Sequence, residues 1–117
     1  MNARGNSGAR AEQLAAQFLQ QHGLKLLQQN YRCRFGEIDL ILQDGDTLVF
    51  AEVRLRSRGD FGGAAASINA AKQGKLSRTA QHYLASLAHI PPCRFDAVLL
   101  QAQDGSGIEW VKDAFGG

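Results

Sequence analysis

The chain has 117 residues and a formal net charge of +2, with 44% hydrophobic and 21% charged residues. This length and composition are ordinary for one folded domain and unlike those of a disordered, collagenous or coiled-coil chain. No apolar stretch approaches the ~20 residues of a membrane-spanning helix, and residues 1–10 lack the apolar segment of a secretory signal. Cys33 and Cys93 show no zinc-ligand spacing, which favours a reducing compartment. We therefore expect a cytoplasmic protein without a membrane anchor.

The predicted elements form a single domain over residues 9–117, preceded by a flexible segment at residues 1–8. Apolar residues recur at helical spacing from Ala11 to Leu19, and Gly23 offers a stop for this helix. Strands are predicted at 24–33, 37–42 and 47–56, the first of them at the edge of a sheet.

A second helix is predicted after Ser67 or Asn69, either of which can cap it, and Pro91-Pro92 ends it. The strand predicted at 94–101 is almost continuously apolar, which is typical of a strand covered on both faces. A short strand at 108–111 completes the series. The order helix, three strands, helix and two strands predicts an α/β fold, with a mixed sheet flanked by helices.

The hairpin of the second and third strands determines which side chains lie opposite each other. Each strand has one apolar face, and the two faces carry Ile38, Leu40, Leu42, Val49, Ala51 and Val53. If both faces point to the core, a two-residue loop at Gly45-Asp46 and a four-residue loop over 44–47 give the same register. That register places Asp39 directly opposite Glu52.

Two carboxylates facing each other across a strand pair repel, because their Cβ atoms lie about 4.5–5.5 Å apart. Compensation can come from a raised pKa on one acid, from a neighbouring arginine or from a bound cation. A hard ion such as Mg²⁺ takes one or two carboxylates together with water and phosphate oxygens. The hairpin alone leaves two interpretations open: a metal site of Asp39 and Glu52, or a surface ladder in which Arg54 neutralises Asp39.

Further charged residues are predicted around this pair. Glu12 lies beside the apolar stripe of the first helix, where it either reaches the pair or is a solvated acid near the helix start. The basic residues on the strand face of Glu52 or on the second helix are Arg54, Arg56, Arg58, Lys72, Lys75 and Arg78. Carboxylates flanked by cations indicate a metal-dependent phosphodiester site rather than a glycosidase or protease. Charge alone is also compatible with a solvated basic face.

A longer pattern covers nearly the whole chain. It consists of Gly8, Glu12, residues 30–32, 36–41 and 48–53, Lys72, Leu76, Ala80, residues 94–96 and residues 114–115. Its most specific part is the Gly36-Glu37-Ile38-Asp39 strand followed, after one turn, by Phe50-Ala51-Glu52-Val53. In these residues the chain resembles the YraN-like bacterial family of endonuclease-like proteins, which is placed in the restriction-endonuclease-like superfamily.

The resemblance implies a restriction-endonuclease-like core in which Asp39 and Glu52 bind Mg²⁺ or Mn²⁺ and Glu12 is a further acid at the site. It also implies DNA, including branched or otherwise structured DNA, as the partner. The superfamily pattern has Glu-x-Lys where this chain has Glu52-Val53-Arg54. Arginine keeps the positive charge but cannot accept a proton. Arg54 is therefore expected to stabilise charge in the transition state.

Three functions remain open at this point. The leading hypothesis is a metal-dependent endonuclease, with Asp39, Glu52, Arg54 and Glu12 at the catalytic site and Arg56, Arg58, Lys72 and Lys75 on the DNA backbone. The first alternative is a catalytically degenerate nucleic-acid-binding module, because Arg54 replaces the lysine. The second is a protein-interaction domain. No nucleotide cofactor is expected, since the Walker A and G-x-G-x-x-G sequences are absent. The sequence leaves the choice of DNA or RNA open, and also whether the chain forms a homodimer.

Overall fold

The described residues form a five-stranded sheet with one helix against each face. The computed structural model describes residues 7–55, 70–101 and 107–114. Its elements are α1 (Ser7–Gln21), β1 (Lys25–Cys33), β2 (Gly36–Asp44), β3 (Thr47–Leu55), α2 (Ala70–Leu84), β4 (Cys93–Leu100) and β5 (Glu109–Val111). The predicted α/β class and order of elements are confirmed, and the arrangement is consistent with a restriction-endonuclease-like core.

The five strands lie side by side in chain order. β3 and β4 run parallel, whereas the other neighbouring pairs run antiparallel, so the sheet is mixed as predicted. Parallel neighbours cannot be joined by a hairpin, and α2 lies in the connection between them. In the described part of the chain, no helix is long and apolar enough to cross a membrane.

Each face of the sheet has its own apolar core. On one face, Ala15 and Leu19 of α1 pack in a cluster with Val49, Ala51, Val98 and Leu100. On the other face, Leu76 and Ala80 of α2 pack in a cluster with Ile41, Phe50, Ala97 and Leu99. β4 contributes to both clusters, and this explains its almost continuous apolar sequence.

The β2–β3 hairpin has the predicted register. Its backbone ladder runs from Leu40↔Ala51 to Asp44↔Thr47, so it ends before the predicted pair of Asp39 and Glu52. The loop is therefore the two-residue one at Gly45-Asp46, and Gly45 has a φ of 61°, a conformation that favours glycine.

One prediction about this hairpin is wrong. Ile38 was expected on the face of Leu40, but it packs with Ile41 in the cluster under α2. Strict alternation fails between the pairs Tyr31↔Ile38 and Gln29↔Leu40, where Asn30 of β1 has a φ of 53°. A left-handed residue turns the strand locally, so the neighbouring side chains change face.

The ends of both helices also differ from the prediction. α1 begins at Ser7, inside the segment expected to be flexible, and residues 1–6 lie outside the described residues. α2 ends at Leu84 rather than at the proline pair, because the backbone closes into tighter turns, with the Ser86 amide bound to the Tyr83 carbonyl at 3.1 Å. The Ser86 hydroxyl donates to the same carbonyl at 2.7 Å. The two predicted capping residues lie outside the described ranges.

Asp96 connects β4 to β5 and to the residues that follow. Its side chain is fully buried, and it accepts hydrogen bonds from Arg94 Nε at 3.0 and 3.2 Å. Trp110 Nε1 donates to it at 2.9 Å and the Asp113 amide at 3.0 Å. Arg94 Nη2 also lies 3.0 Å from a carboxylate oxygen of Asp44, at the end of β2. The buried Asp96 carboxylate thus accepts hydrogen bonds from three groups: the Arg94 side chain, the Trp110 side chain and the Asp113 amide.

We expect Asp96→Ala to lower the free energy of unfolding by roughly 3 kcal/mol, because it leaves a half-buried arginine and an indole N–H without this partner. Urea denaturation measures the loss. The matched control is Asp113→Asn, which removes one negative charge nearby but keeps the backbone amide that Asp96 uses, and Asn tolerates its φ of 52°. Its cost is expected to stay within about 0.5 kcal/mol. Equal losses in the two variants would contradict this account of Asp96.

Candidate functional site

Asp39 and Glu52 line one cleft between the sheet and the start of α2. The cleft has a volume of about 390 Å³. Its other walls are Gly36, Glu37, Ala71, Lys72, Lys75 and Leu76. The structure therefore brings together both predicted metal ligands and the two lysines of the second helix.

The Asp39 side chain is positioned by a hydrogen bond just beyond the end of the β2–β3 ladder. Beyond Leu40↔Ala51, the Val53 amide donates to Asp39 Oδ2 at 2.8 Å. A side-chain oxygen thus takes the hydrogen bond that a backbone carbonyl would accept in a regular ladder. This bond holds the Asp39 carboxylate beside β3, where Glu52 precedes Val53.

Glu52 lies on the face of β3 that is covered by α2, and it is only 6% exposed. Lys72 Nζ is 2.8 Å from Glu52 Oε2, and Arg54 Nε is 3.7 Å from the same oxygen. Arg54 Nε is itself buried and forms no hydrogen bond to any described residue. One oxygen of this buried carboxylate therefore faces two cations, which offset the cost of removing its charge from water.

Glu12 approaches the pair from the opposite side, on α1. Its side chain is within hydrogen-bonding reach of Asp39, and its negative charge also acts on that residue. Glu12 therefore lies close enough to act on Asp39, and its role as a further acid at the site remains a prediction.

Burial and neighbouring charge both act on Asp39. Burial is the larger cause and the Glu52 carboxylate the second, and together they raise the pKa of Asp39 from 3.8 to about 8. The Val53 amide opposes this rise in pKa, and Glu12 adds to it. The negative charges of two neighbouring acids, Glu52 and Glu12, thus disfavour ionisation of Asp39, and a bound cation would offset them.

The donor chemistry of the cleft fits a hard divalent ion. Asp39 and Glu52 offer only oxygen atoms, the ligands that Mg²⁺ and Mn²⁺ prefer. Among the described residues, no three His, Cys, Asp or Glu side chains converge closely enough to hold a metal ion unaided. A cation here would therefore take two protein carboxylates and complete its shell with water and phosphate oxygens.

The residues predicted to bind the nucleic-acid backbone lie in different surroundings. Lys75 is exposed and lines the cleft, and its contact with a nucleic-acid backbone remains a prediction. Lys72 was predicted for the same role, but it contacts Glu52. Arg56 and Arg58 lie outside the described residues, so their roles remain predictions.

The sequence interpretation assigned no site role to the turn between β1 and β2. That turn carries Arg34 and Phe35, and together with Arg32 it lines a second groove that shares Gly36, Glu37 and Lys75 with the cleft. In the sequence, this groove could have been recognised from Arg32, Arg34 and Phe35, which lie at the end of a predicted strand.

Residues 11–100 match the family described as "Uncharacterised protein family UPF0102". The chain belongs to the UPF0102 family. It is similar to a UPF0102 protein of Nitrosomonas europaea, with 61% identity over 115 residues that cover 98% of each chain. A UPF0102 protein of Nitrosospira multiformis is 57% identical over 108 residues, covering 92% of this chain and 91% of its own. One from Psychromonas ingrahamii is 50% identical over 115 residues, covering 98% and 93%.

UPF0102 is the YraN-like group, so the resemblance seen in the sequence is confirmed. The names of these UPF0102 relatives state no reaction, ligand or partner. The chemistry of this UPF0102 protein has to be inferred from its own cleft.

The raised pKa of Asp39 predicts a pH-dependent stability in a chelator-treated protein. Because its pKa is higher in the folded protein than in the unfolded chain, the stability linked to this proton is fully present below about pH 4 and is lost as the pH rises through about 8. Asp39→Asn keeps an acceptor for the Val53 amide but cannot ionise. We expect the advantage of the variant over the natural protein to grow from about pH 4 to about pH 8 and then to level off, measured as the difference in urea midpoint.

The control for this experiment is Asp46→Asn, an exposed acid in the β2–β3 turn. Its difference from the natural protein should stay nearly constant over the same pH range. A constant difference for Asp39→Asn as well would show that the Asp39 carboxyl is not destabilised by its surroundings.

Proposed function

We propose that this UPF0102 protein is a metal-dependent endonuclease that hydrolyses phosphodiester bonds in DNA. The observation that carries the proposal is the cleft that Asp39 and Glu52 line together, in which Lys72 Nζ lies 2.8 Å from Glu52 Oε2. Acids that hold a hard cation, set beside cations that hold a phosphate, are the elements of metal-assisted phosphodiester hydrolysis.

Asp39 and Glu52 are the residues that would hold Mg²⁺ or Mn²⁺, with Glu12 as a further acid. When bound, the ion supplies Lewis-acid stabilisation of the phosphate and lowers the pKa of a coordinated water. The Val53 amide fixes the orientation of Asp39, so the acid does not need to reorganise when DNA binds. Lys75 is exposed at the mouth of the cleft and binds the backbone of the substrate.

Lys72 supplies the amine that the Glu52-Val53-Arg54 sequence lacks. It reaches Glu52 from α2 instead of from β3, and its Nζ is closer to the carboxylate than Arg54 Nε is. A lysine can donate hydrogen bonds and also exchange a proton, whereas an arginine remains protonated. In this scheme Lys72 orients the attacking water and Arg54 stabilises the charge that develops on the phosphate.

The first test is cleavage of supercoiled plasmid and of a branched DNA junction with Mg²⁺ or Mn²⁺. We expect the natural protein to cleave and EDTA to stop the reaction. Asp39→Asn and Glu52→Gln should lower the rate at least about a hundredfold, because loss of even an outer-shell partner of a metal costs about 10–100-fold. The matched control is Glu37→Gln, a carboxylate in the same cleft that pairs with Arg32 at 3.5 Å; it should keep most of the activity.

A natural protein that cleaves neither substrate with either ion contradicts the proposal. Cleavage that survives in Asp39→Asn also contradicts it, since the activity would then come from another site or from a contaminant.

The role of Lys72 has its own test. Lys72→Ala should lower kcat by roughly a hundredfold, the size of the loss when a preorganised donor is removed from an active site. Its KM should change little. The control Lys75→Ala removes the same charge one helical turn further on, and it should mainly raise KM. A second variant, Lys72→Ala with Arg54→Lys, returns an amine to the strand and should recover part of kcat. Equal kcat in Lys72→Ala and the natural protein would rule out this role.

A nucleic-acid-binding module without catalysis is the second candidate, and the arginine at position 54 favours it. In that case the natural protein binds DNA with an affinity that falls steeply with salt but leaves the strand intact. Arg54→Lys alone would then create cleavage that the natural protein lacks. The homodimer needed to cut both strands of a duplex with one site per chain remains a prediction.

A further inference from the structure

The β1–β2 turn forms one wall of a second groove that adjoins the cleft. This groove has a volume of about 600 Å³. Its lining is Arg32, Cys33, Arg34, Phe35, Gly36, Glu37 and Lys75. Gly36, Glu37 and Lys75 also line the cleft, so the groove leads directly to the two acids.

The groove is positively charged. Arg32, Arg34 and Lys75 contribute three cations against the single acid Glu37. Arg32 Nε and Glu37 Oε2 are 3.5 Å apart, with 53% and 37% of their side chains exposed, so this ion pair is weak and open to competition. A polyanion is therefore the chemistry that complements the groove.

Phe35 adds a flat stacking surface to these charges. The Arg34 guanidinium carbon lies 4.9 Å from the centre of the Phe35 ring, a cation–π contact. Behind it, the His82 ring is 6.1 Å from that of Phe35 and is held by a hydrogen bond to the Tyr31 hydroxyl. Aromatic rings and guanidinium planes are the surfaces on which unpaired bases stack.

The turn is held firmly against α2 at Gly36. Gly36 has a φ of 153°, and a Cβ there would lie 3.1 Å from the Thr79 hydroxyl oxygen. Thr79 is fully buried, and its hydroxyl donates to the Lys75 carbonyl at 2.8 Å. The groove therefore has a fixed position relative to the helix that also lines the cleft.

We propose that this groove binds an unpaired strand of DNA and leads it to the acids, so that the substrates are DNAs with a single-stranded segment next to the cleaved bond. Flaps, overhangs and branch points belong to this class. The inference rests on the proposed function for the cleavage step. A base inside a continuous duplex is stacked on its neighbours and cannot lie on Arg34 and Phe35, whereas an unpaired base can.

The test measures binding in EDTA, so that it does not depend on cleavage. Fluorescence anisotropy compares a duplex carrying a single-stranded flap with a blunt duplex that contains the same paired sequence. We expect the natural protein to bind the flapped DNA more tightly. Phe35→Leu keeps an apolar side chain against His82, and Arg34→Ala removes the guanidinium. Together they should weaken flap binding by roughly tenfold, the loss of about one stacked base, and leave blunt-duplex binding nearly unchanged.

The matched control is Lys25→Ala, which removes one positive charge from the exposed far end of β1. It should affect the two DNAs equally. Circular dichroism and the unfolding midpoint of each variant show whether the fold is retained.

The outcomes separate the two proposals. A flap preference that disappears in the Phe35→Leu/Arg34→Ala variant, in a protein that never cleaves, supports the groove and contradicts the endonuclease. Cleavage by a protein whose flap and blunt affinities are equal, or are unchanged by the double variant, contradicts the groove alone. No DNA binding at low salt contradicts both.

Discussion

The repulsion between Asp39 and Glu52 is the constraint on which the candidate site depends. Glu52 is placed by its position on β3, and the Asp39 carboxylate is held beside β3 by the Val53 amide, so the two acids cannot separate without breaking this hydrogen bond. The protein accommodates them with the Val53 amide on one acid and with Lys72 and Arg54 on the other. A carboxylate pair held under these conditions is poised to gain from any cation that enters.

The rest of the fold holds this arrangement in place. α1 and α2 cover opposite faces of the sheet, and each brings one charged residue to the same end of the β2–β3 hairpin: Glu12 from one face, Lys72 from the other. The apolar clusters beneath both helices hold Glu12 and Lys72 in these positions, so the geometry of the site depends on the packing of the core. Asp96 has a different role, since its buried charge is fully satisfied and ties β5 to the sheet.

Much of this architecture was predictable from sequence because it follows from periodicity. The alternating apolar residues predicted the register of the hairpin from Leu40↔Ala51 to Asp44↔Thr47, whereas the approach of Asp39 to Glu52 also depends on the side-chain hydrogen bond from the Val53 amide. The face of Ile38 was not predictable, since it depends on the left-handed Asn30 in a different strand. Lys72 was assigned to the DNA backbone for a similar reason: helical spacing gives the face of a residue but not the group that packs against it. Contacts between distant elements are set by tertiary packing, which no local pattern records.

The contact between Gly36 and Thr79 holds the β1–β2 turn against α2, the helix that lies between the cleft and the second groove. Lys72 and Lys75 are three residues apart on this helix, a rise of about 4.5 Å, and therefore project from neighbouring positions on one side. Gly36 has no side chain, so the β1–β2 turn can lie against Thr79. The distance from Arg34 and Phe35 to the two acids of the cleft is therefore determined by one segment of α2. A Cβ at position 36 would lie 3.1 Å from the Thr79 hydroxyl oxygen and 3.8 Å from Lys75 Cβ, so even a methyl group there would push the turn away from the lysine that lines both openings.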